Sequence, residues 1–581
     1  MLFPLFKLSK AGASDISLMK LVSFDIFDTC LIRKCGAPEN VFDVLSLRAF
    51  TGEIEECERQ EFVAARRMAE LKIAEENPHY TLQGIWDAFA WEHPMLKSKA
   101  ELYYLEQETE RAMLVPVLKI RDQVNQLRNK GHRIIFISDM YLPFSFLCNV
   151  MREHGFMQDG DSLYVSCECD AEKQTGELYK YVRDKERLSS FRKWHHHGDN
   201  LQSDYAVPRQ LGIKCTLVNH AYTPYQQQWV NNTYPLTYKS PGILAGIGRA
   251  MHYSMISTSH LVFVTDIIAP FYCSLVYRIM QDAVRRGIQR LYFCARDAYI
   301  MYKIALQYSS FFPNIDSRFL YISRKALYEG DDVAKMLYYE QVGLATKVDS
   351  VGIVDIRSSG KTLIYLNQLL SSKGFKTVHG YYYELFCGVA SGMSTYSPSD
   401  YYAELSDNYA PRRGVAIGSR FHIFENYFPL NVIPKTIDYT IRDGIAQPVS
   451  GSDDIDGTEE KEKVFIKEKE VLASQHEALI KEFTAMYITC GLHVHSDEVF
   501  RMANDTLFRF LDKPCKYYLP ALEGLYGKKN GETQFIPYVK KESWFSILLT
   551  RGEDTIWEKA TIEYSNLGWL YECLRKIKYN V

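Results

Sequence analysis

Short apolar runs bounded by polar turns alternate, over the first part of the chain, with segments whose apolar positions return every three or four residues. Leu21 to Phe27, Arg133 to Ser138 and Trp194 to His197 are the runs, while Val117 to Lys130 and Tyr205 to Gln210 carry the helical spacing. Such alternation predicts strands of a parallel α/β sheet joined by helices. Residues 36–116 differ in character. There Phe62, Ala65, Ala69 and Ile73 recur at gaps that place them on one helix face amid many charges, which predicts a helical insertion between the first two strands.

The alternation resumes further on. Arg290 to Ala295 ends at Arg296 and Asp297, Val351 to Val354 ends at Asp355, and Thr377 to Phe386 is a third strand candidate. Two breaks divide the chain: Ala221 to Gly242, rich in Tyr, Gln, Asn and Pro and without periodicity, and the acidic, Gly-containing stretch from Ser450 to Glu460. A charged helical pattern from Glu459 to Met486 opens the last part. The expected organisation is a sheet domain over 1–225 with a helical cap at about 36–116, a second α/β domain over 246–448, and a mainly helical region over 459–581. The most apolar run, Leu261 to Tyr277, contains Asp266 and Pro270 and stops at Arg278. It is shorter than the ~20 apolar residues of a spanning helix, so it reads as a buried strand or helix and no membrane span is expected.

Composition narrows the classes. Across 581 residues, 68 Lys and Arg stand against 71 Asp and Glu, a formal net charge of −3, so no global basic field exists to hold nucleic acid. The 13 cysteines are odd in number and none forms a Cys-x-x-Cys pair. Reduced thiols and a cytoplasmic location are the expectation. The opening Met-Leu-Phe-Pro-Leu-Phe-Lys lacks a small-residue cleavage site and makes a poor signal peptide.

Chemistry gathers at the strand ends. The first run ends in Ser23-Phe24-Asp25-Ile26-Phe27-Asp28-Thr29 and the second in Ser138-Asp139. Lys173 follows in Ala-Glu-Lys-Gln-Thr-Gly-Glu, and the third run leads into Gly198-Asp199-Asn200 with Asp204 beyond. In a parallel sheet the carboxyl ends of the strands lie together. These segments would therefore bring a nucleophile-type carboxylate, a hydroxyl, an amine and an acidic pair into one crevice. Magnesium-assisted attack on a phosphoryl group needs that set.

Order and spacing resemble the haloacid dehalogenase (HAD) superfamily of hydrolases, whose four motifs occur here in the family's order. The resemblance implies a Rossmann-like sheet with a cap, a bound Mg²⁺ and a small phosphorylated substrate, such as a sugar phosphate, cleaved through an aspartyl-phosphate. It makes Asp25 the nucleophile, has Thr29 support the loop, and has Ser138 and Lys173 bind the phosphoryl group. Asp25, the Phe27 carbonyl, Asp199 and Asp204 form the metal site by the same resemblance. One departure stands out: the position two after the nucleophile, an acidic general acid in most phosphatases of the family, is Phe27. Asp28 stands where a small residue is usual. Either Asp28 turns inward and serves as the acid, or it only hydrogen-bonds the loop. Dehalogenase members also carry an aromatic at that position but would not need so complete a magnesium site. The whole chain also looks like large bacterial predicted hydrolases of this superfamily linked with surface-polysaccharide biosynthesis. A different class stays open: a phospho-ligand-binding domain without turnover, attached to a glycan-assembly or glycosyl-transfer module.

Three features have plainer readings. His195, His196 and His197 point to alternate faces of a strand, so the three cannot share one ion and read as a strand end. His493 and His495 alternate correctly but have no acidic or cysteine partner nearby. Arg357-Ser-Ser-Gly360-Lys361-Thr362 mimics the tail of a P-loop, yet the position of its first glycine is Asp355, which would repel phosphate. Asp297, Arg324 and Asp355 are equally a second polar site or a structural ion-pair network.

Overall fold

The structure is a computed structural model that describes residues 21–231, 239–358, 360–385, 401–406, 433–451, 460–528, 535–543, 555 and 557–565. The chain start and most of the acidic stretch after Gly451 lie outside the described residues. Two compact units account for the chain, one up to Ser257 together with Thr489–Leu492 and one made of the remainder.

The first unit contains a five-stranded, all-parallel sheet. In chain order its strands are β1 (Leu21–Phe24), β4 (Arg133–Ser138), β5 (Ser162–Val165), β6 (Trp194–Gly198) and β7 (Lys214–Leu217), and their spatial order is β5-β4-β1-β6-β7. The numbers β2 (Leu31–Arg33) and β3 (Leu114–Pro116) belong to a separate antiparallel pair. β1 is central, with Phe24 opposite Phe136 on one side and His197 on the other. All four β1 residues are buried, as expected of a strand covered on both faces. Leu21, Ile135, Ile137, Leu178, Tyr179 and Trp194 pack into a core on one side.

Between β2 and β3 the insertion is helical, with helices Asn40–Ser46, Glu56–Glu76, Leu82–Ala88 and Lys99–Met113. Phe62 and Ala69 of the expected apolar face are buried, whereas Ala65 and Ile73 are only half-buried. The face is completed by Val63 and by Arg66, whose guanidinium is buried against Glu106 at 2.6 Å. Pairing with a carboxylate is what permits that burial.

The stretch read as an aperiodic linker holds helix Pro224–Asn231 and the start of helix Ser240–Ser254, both in the first unit. The second helix lies tight against the turn after β2. Gly36 sits at φ +81°, and a β-carbon on Gly246 would fall 2.2 Å from its nitrogen. Only glycine permits this approach. Gly242, Gly246 and Arg249 share that helix face by their spacing.

The second unit has its own five-stranded parallel sheet, formed by Arg290–Cys294, Asp316–Leu320, Val351–Ser358, His379–Leu385 and Tyr401–Ser406. Gly360, at φ +78°, precedes the helix Lys361–Ser372. The apolar run Leu261 to Tyr277 is helical throughout. It belongs to the one stretch among the described residues long and apolar enough to cross a membrane, Ser259–Arg285, whose most apolar 18-residue window is 89% buried within the structure.

Candidate active site

The sheet brings the four sequence segments to one place. Asp25 follows the central strand, Ser138 ends its neighbour β4, and Asp199 follows β6 on the other side. Lys173 reaches in from the loop before helix Glu177–Lys185. Its backbone N–H donates to both oxygens of Asp139, at 2.9 and 3.0 Å, which fixes that loop on the β4 end. Asp139 is a positioning group that the sequence reading left without a role.

The Lys173 ammonium donates to Asp25 Oδ1 at 2.6 Å and to Asp204 Oδ1 at 2.7 Å. All three side chains are buried. Burial works against the lysine's charge, but Asp25 and Asp204 outweigh it and its pKa lies well above the ordinary value. Asp204 is drawn below the usual carboxylate range: burial opposes this, and Lys173 and His196 prevail. Its other oxygen accepts the Asn200 N–H at 3.1 Å. A β-carbon on Gly198 would lie 2.4 Å from Asp204 Cγ, so the glycine ending β6 is what lets the carboxylate fold back.

Asp199 is half-buried and accepts from Thr29 Oγ1 at 3.4 Å. Burial and the nearby Asp28 and Asp204 push it up to about 6. Asp25 is raised in the same way by burial, which Lys173 offsets only in part. The cluster is therefore short of positive charge. Three carboxylates, Asp25, Asp199 and Asp204, place one oxygen each within 4.8 Å of one another. Opposite corners of a magnesium octahedron are about 4.2 Å apart. This donor set, hard oxygens around an uncompensated negative charge, fits a divalent cation. Asp25 and Asp199 are the better placed to hold one, because both Asp204 oxygens already accept N–H donors.

Phe27 offers no acid; its ring lies 4.2 Å beneath the Arg33 guanidinium. Asp28, whose general-acid role the sequence left open, stands at φ +53°, and its Oδ1 accepts from Arg249 Nη2 at 2.7 Å. Arg249 is nine-tenths buried and stacks on Tyr222, and its Nε finds no partner among the described residues. Gly242, Gly246 and Arg249, spaced by four and three, are the one faint signal for it in the chain. The histidines separate as the strand requires. His195 and His197 share one face with ring centroids 4.2 Å apart, and His196 points to the other, toward Asp204.

No family model matches the chain, and no curated protein does. Among solved structures it is similar to the putative HAD-hydrolase YfnB of Bacillus subtilis, bound to magnesium. That likeness is at 13% identity and TM-score 0.26, covering 35% of this chain and 91% of that one. A HAD family enzyme of Bacteroides thetaiotaomicron, a magnesium complex, is similar at 16% identity and TM-score 0.26, covering 35% of this chain and 94% of that one. At such similarity the chemistry of the site rests on its own geometry.

Proposed function

We propose that the first unit is a magnesium-dependent hydrolase of phosphoesters in which Asp25 is the nucleophile. The observation that carries this reading is the lysine bridge: one buried ammonium joins Asp25 and Asp204 at the carboxyl edge of the central strand, beside Asp199. An oxygen of Asp25 forms the bond to phosphorus while the ester oxygen departs. Water then cleaves the acyl phosphate, restoring Asp25 and releasing inorganic phosphate. Ser138 and Lys173 neutralise the phosphoryl oxygens. Mg²⁺, held by Asp25, Asp199 and the Phe27 carbonyl, would supply positive charge to the same oxygens.

Asp28 Oδ1 is engaged by Arg249 Nη2 at 2.7 Å, a contact that competes with any approach to a leaving group. With Phe27 at the acid position, the leaving oxygen departs unassisted by either. Esters with stabilised leaving groups are then the better substrates. The same two residues support a second reading, a phospho-ligand-binding domain without turnover. A dehalogenase-type hydrolase is favoured by Phe27 alone. We place the protein in the cytoplasm, a reading supported by its free thiols.

A phosphatase screen of the full chain with and without EDTA decides between these readings. Turnover that stops with EDTA and with Asp25→Asn is expected. Tight phosphate-ester binding without turnover would establish the second reading instead.

A further inference from the structure

Beneath the lysine bridge runs a line of buried hydrogen bonds that the catalytic motifs do not include. Trp194 Nε1 donates to Ser23 Oγ at 2.7 Å, and Ser23 Oγ lies 2.7 Å from His196 Nδ1. His196 Nε2 lies 3.2 Å from Asp204 Oδ1, which also accepts from Lys173. Ser23 and His196 are fully buried, and so is Trp194.

The donor and acceptor roles follow from the ends of the line. An ionised carboxylate only accepts, so His196 Nε2 carries the proton that meets Asp204. An indole N–H only donates, so Ser23 receives it on its oxygen and has its hydroxyl proton free for His196 Nδ1. Every group is then satisfied with a neutral imidazole of one tautomer. Reversing the tautomer would set two lone pairs against each other at Asp204.

We propose that His196 is a positioning residue of this site, resting on the reading of Asp25 as nucleophile. Its Nε2–H fixes the Asp204 carboxylate so that Oδ1 faces Lys173, and the lysine in turn is held against Asp25 Oδ1. Ser23 and Trp194 set the ring from the other side. The lysine has three donors on a flexible stem, so without a fixed Asp204 it would not stay in line with the nucleophile.

The test uses the full chain labelled with ¹⁵N-histidine, together with His196→Gln, His196→Phe and Ser23→Ala. The His196 resonances, identified by their loss in His196→Gln, are expected to show the neutral Nε2–H tautomer. A neutral Nδ1–H tautomer, which has no proton to offer Asp204, would overturn the proposal. A hydrogen bond to a charged group corresponds to about a ten- to hundredfold change in rate. His196→Phe is therefore expected to lower kcat by that factor with KM little changed. His196→Gln, whose amide both donates and accepts, should restore most of it. Equal losses in the two variants, or an unchanged kcat in folded His196→Phe, would overturn the proposal. If His196→Phe does not fold, Ser23→Ala replaces it, and a kcat equal to wild type there would be contrary. A wild type without turnover would refute the hydrolase reading, and the tautomer would still decide the hydrogen-bond line by itself.

Discussion

Arg249 and Asp28 form an ion pair at 2.7 Å, although 221 positions separate them in the chain. The pair ties the loop that follows the nucleophile to helix Ser240–Ser254. It also engages the acidic residue nearest Asp25 in sequence. If Asp28 does not donate a proton, Asp28→Asn should reduce kcat/KM for aryl and sugar phosphates by the same factor. A selective loss on sugar phosphates, where the alkoxide needs about 10²–10⁴-fold acid assistance, would show that Asp28 is the acid. Arg249→Met leaves Asp28 unpaired and should lower stability by about 1–3 kcal/mol in chemical denaturation.

Replacing Asp25 by Asn removes the nucleophile while leaving the shape of the site. Turnover should fall by more than about a thousandfold. Because burial and two neighbouring carboxylates raise Asp25, the variant should melt no lower than wild type in metal-free buffer. Asp199→Ala should keep measurable turnover but need far more Mg²⁺. Steady-state kinetics over a magnesium series, beside thermal melts, would check both.

Gly198→Ala should be severe for its size. The new methyl group would meet Asp204 at about the length of a strained contact, and overpacking of this kind costs about 1–3 kcal/mol. Displacing Asp204 also frees Lys173, so kcat should drop with the stability. A variant that is less stable yet fully active would show that Asp204 has no part in turnover.

Asp43, in the insertion, gives a pH dependence away from the site. Burial raises it to about 6 despite Gln60 and Arg67, and its Oδ2 has no hydrogen-bond partner. Its folded pKa lies above its unfolded one, so the folded state holds the proton more tightly and stability falls as pH climbs from about 4 to about 6. Asp43→Asn should therefore stabilise the protein by about 1–3 kcal/mol above that window and have no effect below it. Denaturation at several pH values measures this directly.

The second unit should not hydrolyse ATP. Asp355 lies in the strand that leads to Gly360 and the helix Lys361–Ser372, where a P-loop backbone would approach phosphate. Calorimetry on full-length Asp25→Asn should find no micromolar Mg·ATP binding. Binding that disappears on adding Lys361→Ala would reverse this expectation.

Much of the first unit was legible in the sequence because two local periodicities carry it. Strand runs ending in Asp25, Ser138 and Gly198 announce a parallel sheet, and such a sheet places its carboxyl ends together whatever the loops do. The helical insertion followed from Phe62 and Ala69, although the burial of Arg66 did not. A charged residue reads as surface until its partner is known, and Glu106 lies 40 positions away. The linker at 221–242 misread two helices because proline and polar aromatics hide a short helix from a periodicity test.

What the tertiary structure alone decided is which groups answer one another across long gaps. Asp204 stands with Asp25 and Asp199 in one carboxylate cluster, and Lys173, His196 and the Asn200 N–H also meet its oxygens. His196 read as an ordinary strand residue until Ser23 and Trp194 were seen beside it on the buried face. Arg249 lay outside the expected sheet domain and was reached only through Gly246 packing on Gly36. Periodicity records which face of an element is buried. It does not record which polar groups meet there, since hydrogen bonds of about 3 Å depend on packing that no local pattern encodes.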